Sequence, residues 1–173
     1  NWPSPRHHVW KNLLTARASC KLPLLRKEFI IDPYQIIEAK AYGADVILLI
    51  AAILSKEELK AYSELAKSLE LEVLLEVHND KELKKSLLET VDMIGVNNRD
   101  LKTFEVSLEI SKALSVLIPD DFVKVSESGI SSTEAINELK PFGYKGFLIG
   151  ENFMKTDNTG KAATEFISNL NKK

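Results

Sequence analysis

Phe122-Val123-Lys124-Val125-Ser126-Glu127-Ser128-Gly129 begins as a strand and ends in polar chemistry. Apolar residues with high strand propensity give way to a carboxylate, a hydroxyl and a glycine. The same change recurs along the chain. Lys27 closes Leu22-Pro23-Leu24-Leu25-Arg26, Glu76 closes Val73-Leu74-Leu75, Asn97 follows Met93-Ile94-Gly95-Val96, and Gly150 follows Phe147-Leu148-Ile149. Polar tips on five such runs, separated by helical stretches, describe a rim that meets one ligand from several sides. A parallel β/α barrel builds its active site in this way.

Outward from these tips, short apolar runs alternate with longer stretches of helical period. Strands are predicted at about 22–27, 45–50, 72–77, 92–96, 121–126 and 145–149. They are rich in Val, Ile and Leu and lack the alternation of a half-exposed strand, which suits strands covered on both faces. Helices are predicted at about 33–42, 55–69, 79–89, 107–116 and 132–140. Ser55-Lys56-Glu57-Glu58 reads as a capping box, Pro33 suits a first helical turn, and Gly43 and Gly143 read as helix stops. Each βα unit takes roughly 20–30 residues, so about six units fit, joined by right-handed crossovers. The first eleven residues, with Pro3, Pro5, His7 and His8, fit neither period and read as an irregular arm. Residues 12–173 then form the barrel domain.

Bulk properties exclude several classes. A chain of 173 residues fits one domain with a substantial core, and a net charge of −2 gives no general attraction to nucleic acid or anionic membrane. No basic stripe with interleaved aromatics is present, so nucleic acid is not an expected partner. Cys20 is the only cysteine, which rules out an internal disulfide. No apolar run approaches the roughly 20 residues of a membrane span. The expectation is a soluble cytoplasmic protein.

Lys27, at the mouth of a barrel, suits a general acid or an amine nucleophile, because low dielectric lowers a lysine's pKa. It could equally be a solvated lysine beside Glu28. Glu76 needs a partner or water, since unpaired burial is costly. Lys27 would serve, as an acid/base pair or as a structural ion pair. His78 reads as a surface residue. Asn97 offers a donor and an acceptor for a substrate hydroxyl, and Arg99 can clamp a carboxylate, although Asn97-Asn98 is also ordinary turn chemistry. Ser128-Gly129 and Gly150 read as two halves of a phosphate cup after the last two strands, where barrels often hold phosphate. Glu151 would repel that phosphate unless it points away.

Together these segments resemble the indole-3-glycerol phosphate synthase family. The resemblance is carried by Leu24-Leu25-Arg26-Lys27-Glu28-Phe29-Ile30-Ile31-Asp32-Pro33-Tyr34-Gln35, Gly43-Ala44-Asp45 with Ile47-Leu48-Leu49-Ile50, and Leu75-Glu76-Val77-His78. It continues through Gly95-Val96-Asn97-Asn98-Arg99-Asp100-Leu101-Lys102-Thr103-Phe104, Ser126-Glu127-Ser128-Gly129-Ile130 and Phe147-Leu148-Ile149-Gly150, in the family's order. It implies closure of an anthranilate-bearing open-chain ribulose phosphate to indole glycerol phosphate, with loss of carbon dioxide and water. Lys27 would be the general acid at the carbonyl, and Glu76 would handle protons in later steps. Asn97 and Glu127 would hold substrate hydroxyls and the lysines. Ser128, Gly129 and Gly150 would carry the phosphate, while Phe29, Leu48, Leu101 and Leu148 would form an apolar slot for the ring. Arg99 matches a substrate-pocket position. No metal or organic cofactor is implied.

The family's full (β/α)8 TIM barrel takes roughly 250 residues. By resemblance Leu22–Lys27 corresponds to the third strand, so about six C-terminal units, strands 3–8, are expected, and the first two have no counterpart. The family's first strand carries a Glu-x-Lys pair and a Ser-Pro-Ser-Lys segment that supply a second catalytic lysine. Ser4-Pro5 is too short to replace them, and residues 1–11 read as foreign to the family. An open barrel leaves unpaired edges that favour self-association or completion by another chain. The alternative to a lyase of this family is a non-catalytic barrel fragment acting as a ligand-binding or interaction module. A phosphoribosyl isomerase would share the phosphate cup but would not require the long motifs.

Overall fold

The computed structural model describes residues 6–170. The chain splits into two compact units, Asn1–Glu76 with Lys84–Asp92, and Val77–Leu83 with Met93–Lys173. Pro3, Ser4 and Pro5 of the expected arm lie outside the described residues. Helix α1 (Arg6–Ser19) gives helical backbone to residues 6–11 of that arm, which was expected to be irregular. The two prolines precede the helix and do not interrupt it, and a helix is unharmed by proline ahead of its first turn.

The first unit carries strands β1 (Leu25–Arg26), β2 (Val46–Ile50) and β3 (Glu72–Val77), with helices α2 (Tyr34–Ala41) and α3 (Lys56–Ser68). β1 pairs parallel to β2, and β2 parallel to β3, with Val46 opposite Glu72 and Ile50 opposite Glu76. β2 is buried along its whole length, the signature of a strand covered on both faces. Ile36, Ala39, Leu59 and Ala66 from the helices join Ile47, Leu49, Val73 and Leu75 in the core.

β1 is much shorter than the predicted run. Pro23 has no N–H, and the Leu24 N–H is taken by the Asp45 carboxylate at 2.7 Å instead of a strand partner. Asp45 also pairs with Arg17, which fastens α1 to the start of β2. Asp92 repeats the device beside β3, accepting from Val73 N at 2.8 Å and from Lys67 Nζ at 2.7 Å. Gly43, at φ +89, ends α2 in the left-handed region as expected of a helix stop.

In the second unit β4 (Met93–Asn97), β5 (Val123–Glu127) and β6 (Tyr144–Leu148) are again parallel and in chain order. Helix α4 (Asp80–Ser86) precedes β4, and α5 (Glu109–Ser115), α6 (Thr133–Leu139), the short α7 (Glu151–Met154) and α8 (Thr159–Leu170) complete the alternation. Asn97 lies opposite Glu127, and Glu127 opposite Leu148. Phe153 and Phe166 meet edge to face at 5.5 Å and join α7 to α8. Six parallel βα units of the TIM-barrel type are therefore present, as the sequence predicts. Among the described residues no helix is long and apolar enough to cross a membrane.

Two local features lend themselves to measurement. The capping box forms as predicted: Ser55 N donates to Glu58 Oε2 at 2.7 Å, and Glu58 N donates to Ser55 Oγ at 3.2 Å. Ser55→Ala should cost about 1 kcal/mol in urea unfolding. The Ser55 backbone N–H, and then its hydroxyl, hold the Glu58 carboxyl below its ordinary value of 4.5. The stability this confers is complete above 4.5 and is lost as pH falls through the depressed folded value. Glu58→Gln should therefore flatten the acid-side decline of the melting temperature.

Gly129 is the second. It sits at φ +75, and a Cβ there would collide with Val106 Cγ1. Gly129→Ala should destabilise the chain by roughly 1–3 kcal/mol. Adding Val106→Ala should restore the part due to the clash and leave the backbone strain, as read by unfolding midpoints of the single and double variants.

Candidate active site

A polar group inside a doubly covered strand would lose water without replacement, so the polar residues collect where the strands emerge. In the first unit, Lys27 follows β1 and Glu76 lies at the end of β3. Lys27 Nζ stands 3.4 Å from Glu76 Oε2, and Glu76 is only 5% exposed whereas half of the lysine side chain meets solvent. The pairing expected from the sequence is therefore made. The Glu76 carboxylate is buried, and the Lys27 side chain stays half-exposed.

The loop after Lys27 is held by Gln35, whose part the sequence did not reveal. Its Oε1 accepts from Ile31 N at 2.9 Å and Asp32 N at 3.0 Å, while Nε2 donates to Phe29 O at 2.9 Å. Arg26 fixes the same turn from inside, donating to Gln35 O at 2.8 Å and pairing with Glu38 at 2.9 Å. Phe29 is thereby presented to solvent on an ordered loop, whereas Leu48 in β2 is buried.

In the second unit, Asn97 Oδ1 accepts from Ser128 Oγ at 2.8 Å and from Arg99 N at 3.1 Å. This joins the exits of β4 and β5. Glu127, the last residue of β5, is buried, and its backbone carbonyl accepts from Asn98 N at 2.9 Å. Ser128 adopts φ +64, which turns the chain sharply into Gly129. The loop after Asn97 is folded upon itself. Asp100 Oδ1 accepts from Lys102 N at 2.7 Å and Thr103 N at 2.8 Å, and Arg99 bridges back to Val106. Those N–H groups hold the Asp100 carboxyl below its usual range. Leu101 is exposed on this loop, while Leu148, near the end of β6, is half-buried.

Glu151, awkward beside a phosphate cup, follows Gly150 at the start of α7. Its carboxylate lies 2.6 Å from Lys155 Nζ and 2.9 Å from an Arg99 nitrogen. Lys155 first and Arg99 second hold its carboxyl below the ordinary value. The sequence suggested that Arg99 clamps a carboxylate, and a carboxylate of its own chain occupies it here. His78 is not a surface residue: its side chain is 9% exposed, and Nδ1 lies 3.1 Å from Glu82 Oε2, one helical turn on. Among the described residues no cluster of three or more His, Cys, Asp or Glu could hold a metal ion.

The family profile described as Indole-3-glycerol phosphate synthase matches residues 9–166. Among curated relatives, the indole-3-glycerol phosphate synthases of Aliarcobacter butzleri and Bacteroides thetaiotaomicron are each 48% identical, over 159 and 157 residues. Those matches take in 92% and 91% of this chain but 60% of each relative. Among solved structures, a tryptophan synthase alpha-subunit from Pyrococcus furiosus superposes with a TM-score of 0.72 at 16% identity, covering 93% of this chain and 71% of that one. A structure titled Native KDPGal gives a TM-score of 0.67 at 13% identity, with 97% and 75% coverage. At such identities the structural likeness speaks for the barrel fold alone. The sequence matches carry more, and by them this chain, spanning three-fifths of the length of its curated relatives, belongs to the indole-3-glycerol phosphate synthase family.

Proposed function

We propose that these six units carry the acid–base and phosphate-holding groups of a ring-closing carboxy-lyase. The substrate is 1-(2-carboxyphenylamino)-1-deoxyribulose 5-phosphate and the product indole glycerol phosphate. The observation that carries the reading is the Lys27–Glu76 pair, with its buried carboxylate and half-exposed lysine side chain.

The roles follow from what the reaction needs. The aromatic carbon bearing the carboxylate attacks the ketone carbon, and the new C–C bond requires a proton on the carbonyl oxygen. Lys27 donates it. Carbon dioxide then leaves with its former C–C electron pair returning to the ring. Loss of the new hydroxyl as water takes one proton onto the leaving oxygen and one off the ring system, and Glu76 exchanges these. Asn97 and Glu127 hold substrate hydroxyls, and Ser128, Gly129 and Gly150 hold the phosphate. Phe29, Leu48, Leu101 and Leu148 accept the aromatic ring, and Arg99 belongs to the pocket. The enzyme works in the cytoplasm, and residues 12–173 form its barrel domain.

Single-turnover formation of indole glycerol phosphate, followed by fluorescence, tests the reading. The 173-residue polypeptide should give weak but measurable product, because the family's second lysine has no counterpart among the matched motifs. Lys27→Ala should lower the rate by about 10²-fold or more. Product at equal rate with Lys27→Ala would remove the lysine's role as general acid, and none from folded wild-type polypeptide would favour the non-catalytic ligand-binding reading.

Completion of the barrel is the second part of the proposal. Among the described residues β1 is paired on one side only, and Leu22, Phe29, Ile31 and Tyr34 are exposed in the unit that contains it. An edge of this kind recruits another chain. The 173-residue polypeptide should sediment as a dimer or larger species, and a concentration-independent monomer would remove this part.

A further inference from the structure

Asn98 is the neighbour of a proposed substrate residue, yet its own side chain is 0% exposed and cannot touch a ligand. Its carboxamide is held at both ends. Oδ1 accepts from Ser111 N at 3.2 Å and from Ser111 Oγ at 2.8 Å, in the first turn of α5. Nδ2 donates to Ser126 Oγ at 2.9 Å, on β5, and to Ser128 O at 3.1 Å, just beyond it. The orientation of the amide is unambiguous. A backbone N–H can only donate to the oxygen and a backbone carbonyl can only accept from the nitrogen.

The rest of the cluster is equally fixed. Ser111 Oγ lies 2.8 Å from Ser126 Oγ, and Tyr144 donates its hydroxyl to Ser111 O at 2.7 Å. Burial pushes the Tyr144 phenol up to about 12, so it remains a donor throughout the neutral range. The network joins α5, β5 and β6 behind the loop that begins at Ser128.

One bond in it has a directional consequence. In a trans peptide the carbonyl and the following N–H point in opposite directions, and the chain contains no cis peptide among the described residues. Asn98 draws the Ser128 carbonyl inward, so the Gly129 N–H is turned away from the buried cluster. We propose that Asn98 is a positioning residue for the phosphate loop, setting the Gly129 N–H toward the anion through its bond to the Ser128 carbonyl. This rests on the reading that Ser128, Gly129 and Gly150 hold phosphate. Neither the Asn-Asn turn nor the buried position discloses it, because the effect acts through a peptide plane and not through a contact with substrate.

The test separates direction from stability. In Asn98→Asp the first oxygen still accepts from Ser111, but at mildly alkaline pH the second meets the Ser128 carbonyl as acceptor against acceptor. Ser111→Ala cuts the same network on its other side and leaves the Asn98–Ser128 bond in place. Inorganic phosphate is titrated into the 173-residue polypeptide while amide resonances, that of Gly129 above all, are followed by NMR. Asn98→Asp should raise the phosphate Kd about tenfold or more, the size expected for one charge-assisted hydrogen bond. Ser111→Ala should melt earlier yet bind within about twofold of wild type. Equal weakening in both variants, or none in Asn98→Asp, would overturn the positioning role and leave the phosphate reading intact. A wild-type Gly129 resonance that does not respond to phosphate would overturn both. If Asn98→Asp does not fold, the wild-type Asn98 side-chain NH2 resonances decide. They should shift along the same binding curve as Gly129, because charge on one side of a peptide polarises the bond on the other, and a flat response would reject the proposal.

Discussion

β2 and β3 are covered along nearly their whole length, and that burial governs where chemistry can occur. Water cannot follow a charged group into such a strand, and the backbone has no spare donors there, since the ladder uses them. Carboxylates, amides and hydroxyls therefore collect near the strand ends or just beyond them. Glu76 is the limiting case. It lies within the ladder opposite Ile50, is nearly dry, and is sustained by the Lys27 ammonium reaching in from solvent. Breaking such a pair by removing one partner is more costly than never having formed it.

The loops beyond the strands need their own support, because no ladder continues into them. Three side chains supply it by replacing backbone partners. Gln35 closes the turn after Lys27, Asp100 closes the loop after Asn97, and Asn98 ties that loop to α5 and β5. Each carries oxygen or nitrogen atoms that reach nearby N–H or carbonyl groups. Charge is managed in the same local way. Glu151 would oppose an anion at Gly150, but its carboxylate is turned to Lys155 and Arg99.

The fold could be read from the chain because two periods alternate clearly. The runs around Ile47–Leu49 and Val73–Leu75 have no polar face, and Ser55 and Glu58 form a helix start that needs no tertiary help. Local signals failed where the chain's own neighbours compete. β1 loses length to Pro23 and to the Asp45 carboxylate, a residue distant in sequence. α8 carries Ala162, Phe166 and Leu170 at helical spacing, but Gly160 and Asn169 lower its helix propensity and none of its residues is fully buried. His78 reads as a surface residue because it precedes α4, and Glu82, four positions on, meets it only once that turn has formed.

Sequence alone determined the order of βα units, the polar residues near the ends of β1, β3, β4 and β5, and membership of a family whose motifs are long. Those properties are local or compositional: burial on both faces selects the residues, and the residues record it. Tertiary structure decided which of the polar tips meet. Lys27 and Glu76 are 49 positions apart, Asn97 and Ser128 are 31 apart, and Arg99 and Glu151 are 52 apart. It also decided the direction of the peptide between Ser128 and Gly129, which a buried amide 30 residues earlier controls. A hydrogen bond or ion pair depends on distance and angle to within a fraction of an ångström, and such precision exists only once the strands have been set side by side.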